Sequence, residues 1–340
     1  QRLLANIITL HSRKPTPRFW YLPRGLKAAV VMTGDDHGNG GTKARFNQYL
    51  QLSSDNSAEA VADWRAIRGT SYIYPNTPLT DTEARNFQQQ GFEIALHLTT
   101  GCSNFTASSL ENDLTTQLAQ FKSHYPSVAS PVTNRTHCIA WSDWHTQPKL
   151  EAPKGIRLDA NYYYWPSAWI QDRPGMFTGS GIPMRFADLD GGLIDCYQLT
   201  TQMTDESDQS FPFTINQLLD KALGPEGYYG VFCANMHTDA DFSDGSDAII
   251  ASAKSRNVPV ISSKQLLTWL DGRNGSSFNS MSWNGDELNF DVSIASGARN
   301  LEGMLPITEK TGQLISLTVN GAQISFRLEK IKGVEYAFFN

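Results

Sequence analysis

The chain has 340 residues, enough for one large domain and a smaller one. Charged residues make up 18% of it, on the low side for soluble proteins, and aromatic residues 11%, a combination that indicates a well-packed protein and argues against a disordered chain. The net charge is -6 and no basic stripe is present, so a nucleic-acid-binding function is excluded. No apolar run reaches the roughly 18 residues of a membrane span, and the first residues lack the pattern of a signal peptide.

The first segment, residues 1–26, is predicted to be a helix followed by a linker. Residues 1–13 have the apolar spacing of a helix, and a proline-rich stretch follows at 15–23. We expect this segment to be the tail of a domain that precedes the given chain.

The second segment, residues 27–273, alternates short apolar runs with amphipathic stretches. This alternation is typical of parallel βαβ units and predicts an irregular barrel of seven or eight such units. Strands are predicted at 28–32, 71–74, 92–96, 137–141, 156–159, 193–199, 228–235 and 258–262. Helices are predicted at 43–51, 80–90, 108–123, 215–222, 246–255 and 264–270. The Gly- and Pro-rich stretch 172–190 is an insertion or a hairpin.

The third segment, residues 274–340, has a different character. Apolar and polar residues alternate along it, and the pairs Asn284-Gly285 and Asn320-Gly321 are typical of hairpin turns. We therefore predict a small antiparallel, sandwich-like β module with a structural role. Sugar binding by this module is the alternative.

Ionisable residues stand at the ends of several predicted strands. Asp35 and Asp36 follow the first strand, His97 ends another and His237 follows a third. In a barrel these ends converge on one face. Adjacent carboxylates repel each other, and a cation relieves that repulsion. The pattern favours a metal-assisted site with one aspartate on the metal and the other acting as a base, whereas the alternative is a polar loop in which the aspartates cap a turn.

The motifs, taken in order, resemble those of the polysaccharide deacetylase superfamily, the metal-dependent carbohydrate esterases of family four and their relatives. The resemblance covers about residues 27–270. The five matching stretches are Thr33-Gly34-Asp35-Asp36, residues 91–99 ending in His97-Leu98-Thr99, Asn134-Arg135-Thr136-His137, Gly155-Ile156-Arg157-Leu158-Asp159, and residues 230–237 ending in His237. Gly34 stands where the family has phenylalanine.

The resemblance implies hydrolysis of N-acetyl groups from an amino-sugar polysaccharide, with a metal-bound water as nucleophile. It implies Asp35 as general base, Asp36 and His97 as metal ligands, and His237 as general acid. It further implies that Arg135 holds Asp35 and that Asp159 supports Arg135 or the acid. These roles match what amide hydrolysis needs: a nucleophile, charge relief on the oxyanion and a proton for the amine.

One ligand of the family pattern is missing. The family has a second histidine four residues after the first, and here that position is Gly101. We expect His137 to complete the site, with His37 or His145 as alternatives, and loss of the metal as a further one. Imidazole and carboxylate ligands together suit zinc, and also cobalt or nickel.

Aromatic residues cluster just beyond the third and fourth motifs. Because sugar rings stack on such side chains, we predict a carbohydrate-binding surface here, with core packing as the alternative. The residues are Trp141, Trp144, Tyr162, Tyr164 and Trp165.

Two other functions and several details stay open at this stage. The alternatives are a non-catalytic polysaccharide-binding module on a degenerate barrel, and a glycoside hydrolase that uses Asp35 with Asp188 or Asp190.

The four cysteines form no CxxC pair, so a structural zinc site is not expected. If His97 and His137 share a metal, Cys102 and Cys138 come close enough to bond, which suits an exported protein. We expect a secreted, cell-surface or periplasmic protein.

Overall fold

The computed structural model describes residues 2–12, 14–163, 181–309 and 312–340. The chain forms two compact units, which are residues 28–267 and the residues up to 27 together with 268–340. The N-terminal segment therefore groups with the C-terminal strands, through pairing of Arg18–Phe19 with Gly303–Pro306. None of the described helices is long and apolar enough to cross a membrane.

The described helices and strands have the following bounds. The helices are α1 (Arg2–His11), α2 (Thr42–Leu52), α3 (Ala58–Ala62), α4 (Asp81–Gln89), α5 (Ala107–His124), α6 (Thr146–Glu151), α7 (Phe213–Leu223), α8 (Asp244–Ser255) and α9 (Ser263–Gly275). The strands are β1 (Arg18–Phe19), β2 (Ala28–Asp36), β3 (Thr70–Ile73), β4 (Glu93–Leu98), β5 (Thr133–Thr136), β6 (Leu158–Asp159), β7 (Met184–Ala187), β8 (Leu193–Gln198), β9 (Thr201–Thr204), β10 (Gly230–Asn235), β11 (Val260–Ile261), β12 (Ser277–Trp283), β13 (Leu288–Ser293), β14 (Gly303–Pro306), β15 (Thr308–Glu309), β16 (Gly312–Gln313), β17 (Leu317–Val319), β18 (Ala322–Ile324), β19 (Arg327–Ile331) and β20 (Val334–Phe339).

One sheet organises the larger unit. Its order is β7-β8-β6-β5-β4-β3-β2-β10-β9, with β11 beside β2. Every pair is parallel except β7 with β8. Strands β2, β3, β4 and β10 are buried along their whole length, and β2, β4 and β10 are accordingly rich in apolar residues. The predicted fold class, an irregular α/β barrel with a small antiparallel module, is confirmed.

Aromatic side chains fasten the helices to this sheet. Phe46 on α2 stacks on Phe92, which precedes β4, with ring centroids 4.3 Å apart. Phe87 on α4 meets Phe46 edge-on at 5.3 Å. All three are buried, and burial of such rings is a large apolar contribution to stability. The helices thereby leave the carboxyl ends of the strands free to carry polar loops.

The third predicted motif differs from expectation in its local structure. The strand expected at 137–141 lies earlier, at Thr133–Thr136, and the residues after it form a short 3-10 turn, His137–Ile139. The expected strand contains Cys138, whose φ is 59° in the structure, a left-handed value that no strand accommodates. Arg135 therefore lies on the strand, and His137 lies directly beyond its end.

The smaller unit is antiparallel, as predicted. A four-stranded sheet has the order β1-β14-β20-β19. Three separate hairpins, β12–β13, β15–β16 and β17–β18, complete its described residues. The turn between β17 and β18 has positive φ at Asn320 and at Gly321, the conformation that an Asn-Gly hairpin adopts.

Candidate active site

The ionisable residues singled out by the sequence meet at one edge of the large sheet. Strands β5, β4, β3, β2 and β10 are consecutive and parallel. His97 on β4 pairs with Arg135 on β5, and β2 ends in Asp35 and Asp36. Parallel strands bring their carboxyl ends to the same edge, where ligands and reacting groups are usually placed.

Asp35 is a buried carboxylate with one free oxygen. It is 4% exposed, and Asn235 Nδ2 donates to its Oδ2 at 2.8 Å. Its Oδ1 has no hydrogen-bond partner and lies 3.7 Å from Arg135 Nε and 3.8 Å from His97 Nδ1. Burial raises the pKa of Asp35, but electrostatic interactions with His97, Arg135 and His237 and the Asn235 hydrogen bond outweigh it and lower the pKa below its usual value. Asp35 is therefore ionised and able to accept a proton.

Arg135 is fully buried below Asp35. Its Nη2 donates to Thr33 Oγ1 at 3.1 Å and to Thr201 Oγ1 at 3.0 Å, which fixes the guanidinium across three strands. Nε and Nη1 make no hydrogen bond, so the nearby Asp35 carboxylate is the partner that compensates this buried charge. The predicted role of Arg135, holding Asp35, fits this position.

Gly34 departs from the family pattern for a packing reason. A Cβ atom at this position would lie 2.4 Å from the carbonyl oxygen of Met236 and 2.6 Å from Thr238 Cγ2. Strand β10 and the loop after it thus press directly on the backbone of β2. This close approach excludes any side chain here and brings the loop that carries His237 next to Asp35.

Asp36 faces a different environment from the one predicted. Its Oδ1 accepts hydrogen bonds from the backbone N–H groups of Gly38, Asn39 and Gly40, and its Oδ2 accepts from Thr42 Oγ1 at 2.7 Å. Both oxygens are therefore used to order the glycine-rich loop. Because side chains alternate along a strand, Asp36 points away from Asp35. This geometry argues against Asp36 as a metal ligand.

His97 presents a free ring nitrogen to the site. Its Nδ1 donates to the carbonyl oxygen of Arg135 at 3.0 Å, because a carbonyl can only accept. The other nitrogen, Nε2, is buried without a hydrogen-bond partner. Burial lowers the pKa of His97 to about 4, so the ring is neutral at pH 7. A neutral imidazole with a fixed tautomer and an orphaned lone pair is well suited to binding a metal.

His37 is held in a similar way. Asp239 Oδ1 accepts from the backbone N–H of His37 at 2.7 Å, and Oδ2 accepts from Nδ1 at 2.8 Å. The proton is thereby fixed on Nδ1, which leaves Nε2 available. From the sequence, His37 is only an alternative ligand; in the structure it has a carboxylate partner typical of metal-binding histidines.

His137 is the third histidine at this edge. Its Nδ1 shares a short hydrogen bond with the hydroxyl of Tyr74, the residue that follows β3. Burial lowers the pKa of His137, and the neighbouring His37 lowers it further. The Tyr74 ring also stacks on the His137 ring, with centroids 5.7 Å apart. Tyr74 therefore orients this imidazole.

The three histidines form a group that fits a metal ion. His37, His97 and His137 each offer a ligand atom within 4.8 Å of the other two. The buried, unpartnered Nε2 of His97 would be costly without something to bind. Three imidazoles form a ligand set that zinc accepts in catalytic sites, with a fourth position left for water. A second group, His37 with His237 and Asp239, satisfies the same distance limit.

His237 is the charged histidine of this site. Asp205 Oδ1 accepts from its Nδ1 at 2.7 Å, and Glu206 Oε1 lies 3.6 Å from its Nε2. Burial lowers the pKa of His237, but the Asp205 hydrogen bond and the charges of Asp35, Asp205 and Glu206 outweigh it and raise the pKa to about 9. His237 therefore carries a proton at neutral pH. Its ring stacks on His37 at 5.4 Å, so this proton lies beside the histidine group.

Asp159 was predicted to support either Arg135 or the general acid His237. The structure does not show it in contact with His237. Its oxygens accept from the backbone N–H and the side-chain amide of Asn161, both at 2.8 Å. Burial raises the pKa of Asp159 to about 6, while the charge of Arg135 is among the influences that lower it. Asp159 forms a buried carboxyl pair with Glu151, and Asp205 is the carboxylate that partners His237.

The predicted aromatic cluster is present for the residues that the structure describes. Trp141, Trp144 and Tyr162 are mutual neighbours, with ring centroids 5.8 to 6.2 Å apart, and Phe186 supports them. Trp144 is 45% exposed, so one face of the cluster is open to solvent. The other two predicted residues, Tyr164 and Trp165, lie outside the described residues.

A disulfide joins the loops that follow two site strands. Cys102 and Cys138 are bonded to each other. This is the pair that was expected to come close if His97 and His137 share a metal. Cys196 and Cys233 are buried and free. The alternative ligand His145 lies elsewhere, with its Nδ1 3.4 Å from Asp188 and its Nε2 4.0 Å from Asp143.

Sequence reasoning missed several partners of these residues. Tyr74 follows β3, Asp205 follows β9, and Asn235 ends β10. Each obeys the rule that led to Asp35 and His97, namely a polar side chain at the carboxyl end of a strand. Asp239, two residues beyond His237, gave no such signal because its role depends on how the loop folds back to His37.

No protein-family model matches the chain, and no curated protein sequence matches it. Several solved structures are similar. A putative polysaccharide deacetylase from Mycobacterium smegmatis is 15% identical over 74% of this chain and 93% of its own, with a TM-score of 0.46. The Xyl-CE4 domain of a multidomain xylanase from the hindgut metagenome of Trinervitermes trinervoides is 13% identical over 70% of this chain and 89% of its own, with a TM-score of 0.39. A CE4 family pseudoenzyme from Bacillus anthracis is 10% identical over 70% of this chain and 65% of its own, also with a TM-score of 0.39. At these identities and with TM-scores below 0.5, the similarities say nothing about the site residues of this chain.

Proposed function

We propose that this chain is a metal-dependent hydrolase that removes N-acetyl groups from an amino-sugar polysaccharide. The observation that carries the proposal is the grouping of three histidine ligand atoms, within 4.8 Å of one another, at the strand edge that also carries Asp35. His97 Nδ1 lies 3.8 Å from the free oxygen of Asp35. The ionised carboxylate thus lies beside the ring of one proposed ligand, at the nitrogen that does not face the metal, and in this proposal it serves as the base for amide hydrolysis.

His37, His97 and His137 would hold the metal, and zinc is the cation that such a set would suit best, with cobalt and nickel also acceptable. The chemistry that the cation would supply when bound is Lewis acidity, toward a water molecule and toward the amide oxygen. In this proposal His37 replaces Asp36, because the oxygens of Asp36 are hydrogen-bonded to the loop and Thr42. In this proposal each Nδ1 carries the proton and donates it, to Asp239 from His37, to the Tyr74 hydroxyl from His137 and to the Arg135 carbonyl from His97, so that each Nε2 is left for the metal.

Asp35 accepts the proton of the attacking water. Its Oδ1 has no other hydrogen-bond partner, and the lowered pKa keeps it ionised at neutral pH. Asn235 holds Oδ2 at 2.8 Å, and Arg135 stabilises the negative charge from below. These contacts fix the carboxylate so that the free oxygen is the one that takes the proton.

His237 supplies the proton that the departing amine needs. It is protonated at neutral pH, and Asp205 orients its ring through Nδ1. As the amide C–N bond breaks, the Nε2 proton passes to nitrogen, so acetate and a free amine are released. The two roles are separated by pKa: a base held ionised and an acid held protonated in one site.

The aromatic cluster provides the surface on which a sugar ring stacks. Trp144 is its exposed member, and Trp141, Tyr162 and Phe186 pack behind it. A rigid apolar face with polar surroundings suits the faces of pyranose rings. The exposed disulfide further supports location in an oxidising compartment, and we propose a secreted, cell-surface or periplasmic protein.

The experiment is acetate release from short oligomers of N-acetylglucosamine. Activity is expected with zinc, is lost after chelation and is restored by the metal. Asp35→Asn is expected to lower kcat by at least about 100-fold without loss of bound metal. New reducing ends without acetate would overturn the proposal in favour of a glycoside hydrolase. Glycan binding with neither metal nor acetate release would establish the non-catalytic module instead.

The structure gives the glycoside hydrolase little support. Asp188 pairs with Lys149 at 2.5 Å, and Asp190 accepts from the backbone N–H of Gly192 at 2.8 Å. Both lie in the turn between β7 and β8, and β6, β5, β4 and β3 separate β8 from β2 in the sheet. Neither carboxylate is placed to work with Asp35 across one glycosidic bond.

A further inference from the structure

The Cys102–Cys138 disulfide lies beside two of the histidines assigned to the metal. Cys102 lies in the loop after β4, the strand of His97, and Cys138 directly follows His137 after β5. The two Cα atoms are 5.4 Å apart although 36 positions separate them in the chain. The sulfur atoms also lie within 4.8 Å of a ring nitrogen of His137. The bond therefore ties together the two loops that bring His97 and His137 to one point.

The backbone around the disulfide adopts conformations that its residues do not favour. Cys102 has φ 56°, Cys138 has φ 59° and Ile139 has φ 49°. The left-handed region is disfavoured for all three residues, most strongly for the β-branched Ile139. Such a conformation persists where the surrounding structure enforces it. The covalent bond from Cys138 to the neighbouring loop is the constraint that meets this need.

We infer that this disulfide is a positioning element of the metal site: it keeps the turn after β5 in the conformation that aims His137 at His37 and His97. The inference rests on the proposed metal site. Tyr74 binds the His137 ring, but that hydrogen bond acts on the side chain and leaves the backbone turn free. Without the covalent bond, Cys138 and Ile139 relax toward negative φ, and that rotation carries the adjacent His137 away from the other two ligands.

Because the coupling is thermodynamic, it acts in both directions. If the disulfide strengthens metal binding, the bound metal must stabilise the disulfide against reduction by the same factor. Both cysteines are exposed, so a reductant reaches the bond without unfolding of the chain. A water-soluble phosphine performs the reduction: the S–S bond breaks, two thiols form with protons from water, and the phosphorus is oxidised to a phosphine oxide with the oxygen of that water.

The test compares zinc affinity in three forms of the whole chain, by competition with a chromophoric chelator. The forms are the oxidised protein, the protein reduced with phosphine and then desalted, and the Cys102→Ser/Cys138→Ser double variant. We expect about one equivalent of zinc in the oxidised form. We expect affinity weaker by about tenfold or more in the other two, the scale on which supporting contacts affect metal sites. Cys196→Ser, which removes a buried free thiol, is the matched control and should bind zinc like the oxidised protein.

Two further readouts separate positioning from mere stabilisation. Circular dichroism at the assay temperature must show that the reduced and double-serine forms are folded. At equilibrium in a thiol–disulfide buffer with free zinc held at saturation, reduction of the wild-type disulfide must also become less favourable, by the factor found for affinity. Equal zinc affinity in the oxidised and reduced forms would overturn the inference while leaving the proposed function intact.

A thiolate charge-transfer band in the reduced protein loaded with Co²⁺ would overturn the inference in another way, because the cysteines would then be ligands themselves. Absence of zinc binding by the oxidised protein would instead remove the proposed metal site, and the inference with it.

Discussion

Asp239 binds His37 at two points, through the backbone N–H at 2.7 Å and through ring Nδ1 at 2.8 Å. The first bond fixes where the backbone of His37 lies, and the second fixes the proton on Nδ1. The remaining nitrogen is therefore the one available to a metal, and the carboxylate makes it more basic. This pair is the clearest reason to include His37 in the ligand set.

The first prediction concerns this pair. Asp239→Asn keeps the size of the side chain but removes the charge, and its amide nitrogen cannot accept from Nδ1. We expect zinc affinity to fall by about 10- to 100-fold. Equilibrium dialysis measures this loss. Asp241→Asn, an exposed acidic residue two positions later, is the control and should bind zinc normally. Unchanged affinity in Asp239→Asn would exclude a role for this contact.

The second prediction concerns the alkaline side of the pH profile. His237 must be protonated to act as the acid, and its pKa is raised to about 9, so kcat/KM should hold at neutral pH and fall as pH rises through about 9. Asp205→Asn removes the largest influence that raises this pKa. The alkaline limb should then move down by about one pH unit or more.

The same shift affects stability with a defined sign. A histidine whose pKa is raised on folding stabilises the protein fully below its unfolded value and loses that contribution as pH rises through about 9. Wild type and Asp205→Asn should therefore differ in urea stability at pH 6 to 7 and converge above pH 9. An alkaline limb that stays in place in Asp205→Asn would show that another group is the acid.

The third prediction concerns the buried pair of Glu151 and Asp159. Burial raises the pKa of both carboxyl groups; the charge of Asp159 raises the pKa of Glu151 further, whereas the hydrogen bond with Glu151 lowers the pKa of Asp159. Their contribution to stability is present at low pH and is lost as pH rises above the unfolded values, because the folded state must then give up a proton it favours. In Glu151→Gln the side-chain oxygen still accepts hydrogen bonds from Asn134 and Gln147. The new amide N–H group can donate a hydrogen bond to Asp159.

We expect Glu151→Gln to unfold at higher urea concentration than wild type at pH 8, by a free energy on the order of 1 kcal/mol. The difference should shrink toward pH 4, where wild-type Glu151 is protonated. Urea melts at both pH values provide the measurement. A variant less stable than wild type at pH 8 would mean that the ionised pair is well tolerated.

The fourth prediction concerns the aromatic cluster. Trp144→Ala removes the exposed ring and leaves the metal group untouched, so KM for an N-acetylated oligomer should rise by about 3- to 10-fold with little change in kcat. Zinc content should not change. Leu189→Ala, which removes an apolar side chain that is 85% exposed, is the control. If kcat falls in Trp144→Ala while KM holds, the cluster does not serve as a binding surface.

Much of the fold was predictable because the buried strands are short apolar runs, a pattern visible without any structure. β2, β4 and β10 were found where expected, and with them Asp35, His97 and His237. The strand before His137 was misplaced, since left-handed Cys138 depends on a disulfide formed with a distant loop.

The ligand set was harder to predict for a reason of local geometry. Asp35 and Asp36 are neighbours, but alternation along β2 turns them in opposite directions, so Asp36 serves the glycine-rich loop. By the same alternation, His37, two positions after Asp35, lies on the side of Asp35, which favours His37 over Asp36 as a ligand in the same site. Asp239 could not be predicted, because it comes from a loop whose conformation the sequence pattern does not define. Asp205 was missed because it follows β9, a strand that was not predicted.

The most direct test of this account is the metal content of the purified protein and of four single variants, measured by elemental analysis after incubation with zinc and desalting. The account predicts about one equivalent in wild type and in His145→Ala, and loss of the metal in His37→Ala, His97→Ala and His137→Ala. Full retention of zinc in His37→Ala, with loss in His97→Ala and His137→Ala, would contradict the three-histidine site and return Asp36 to the ligand set.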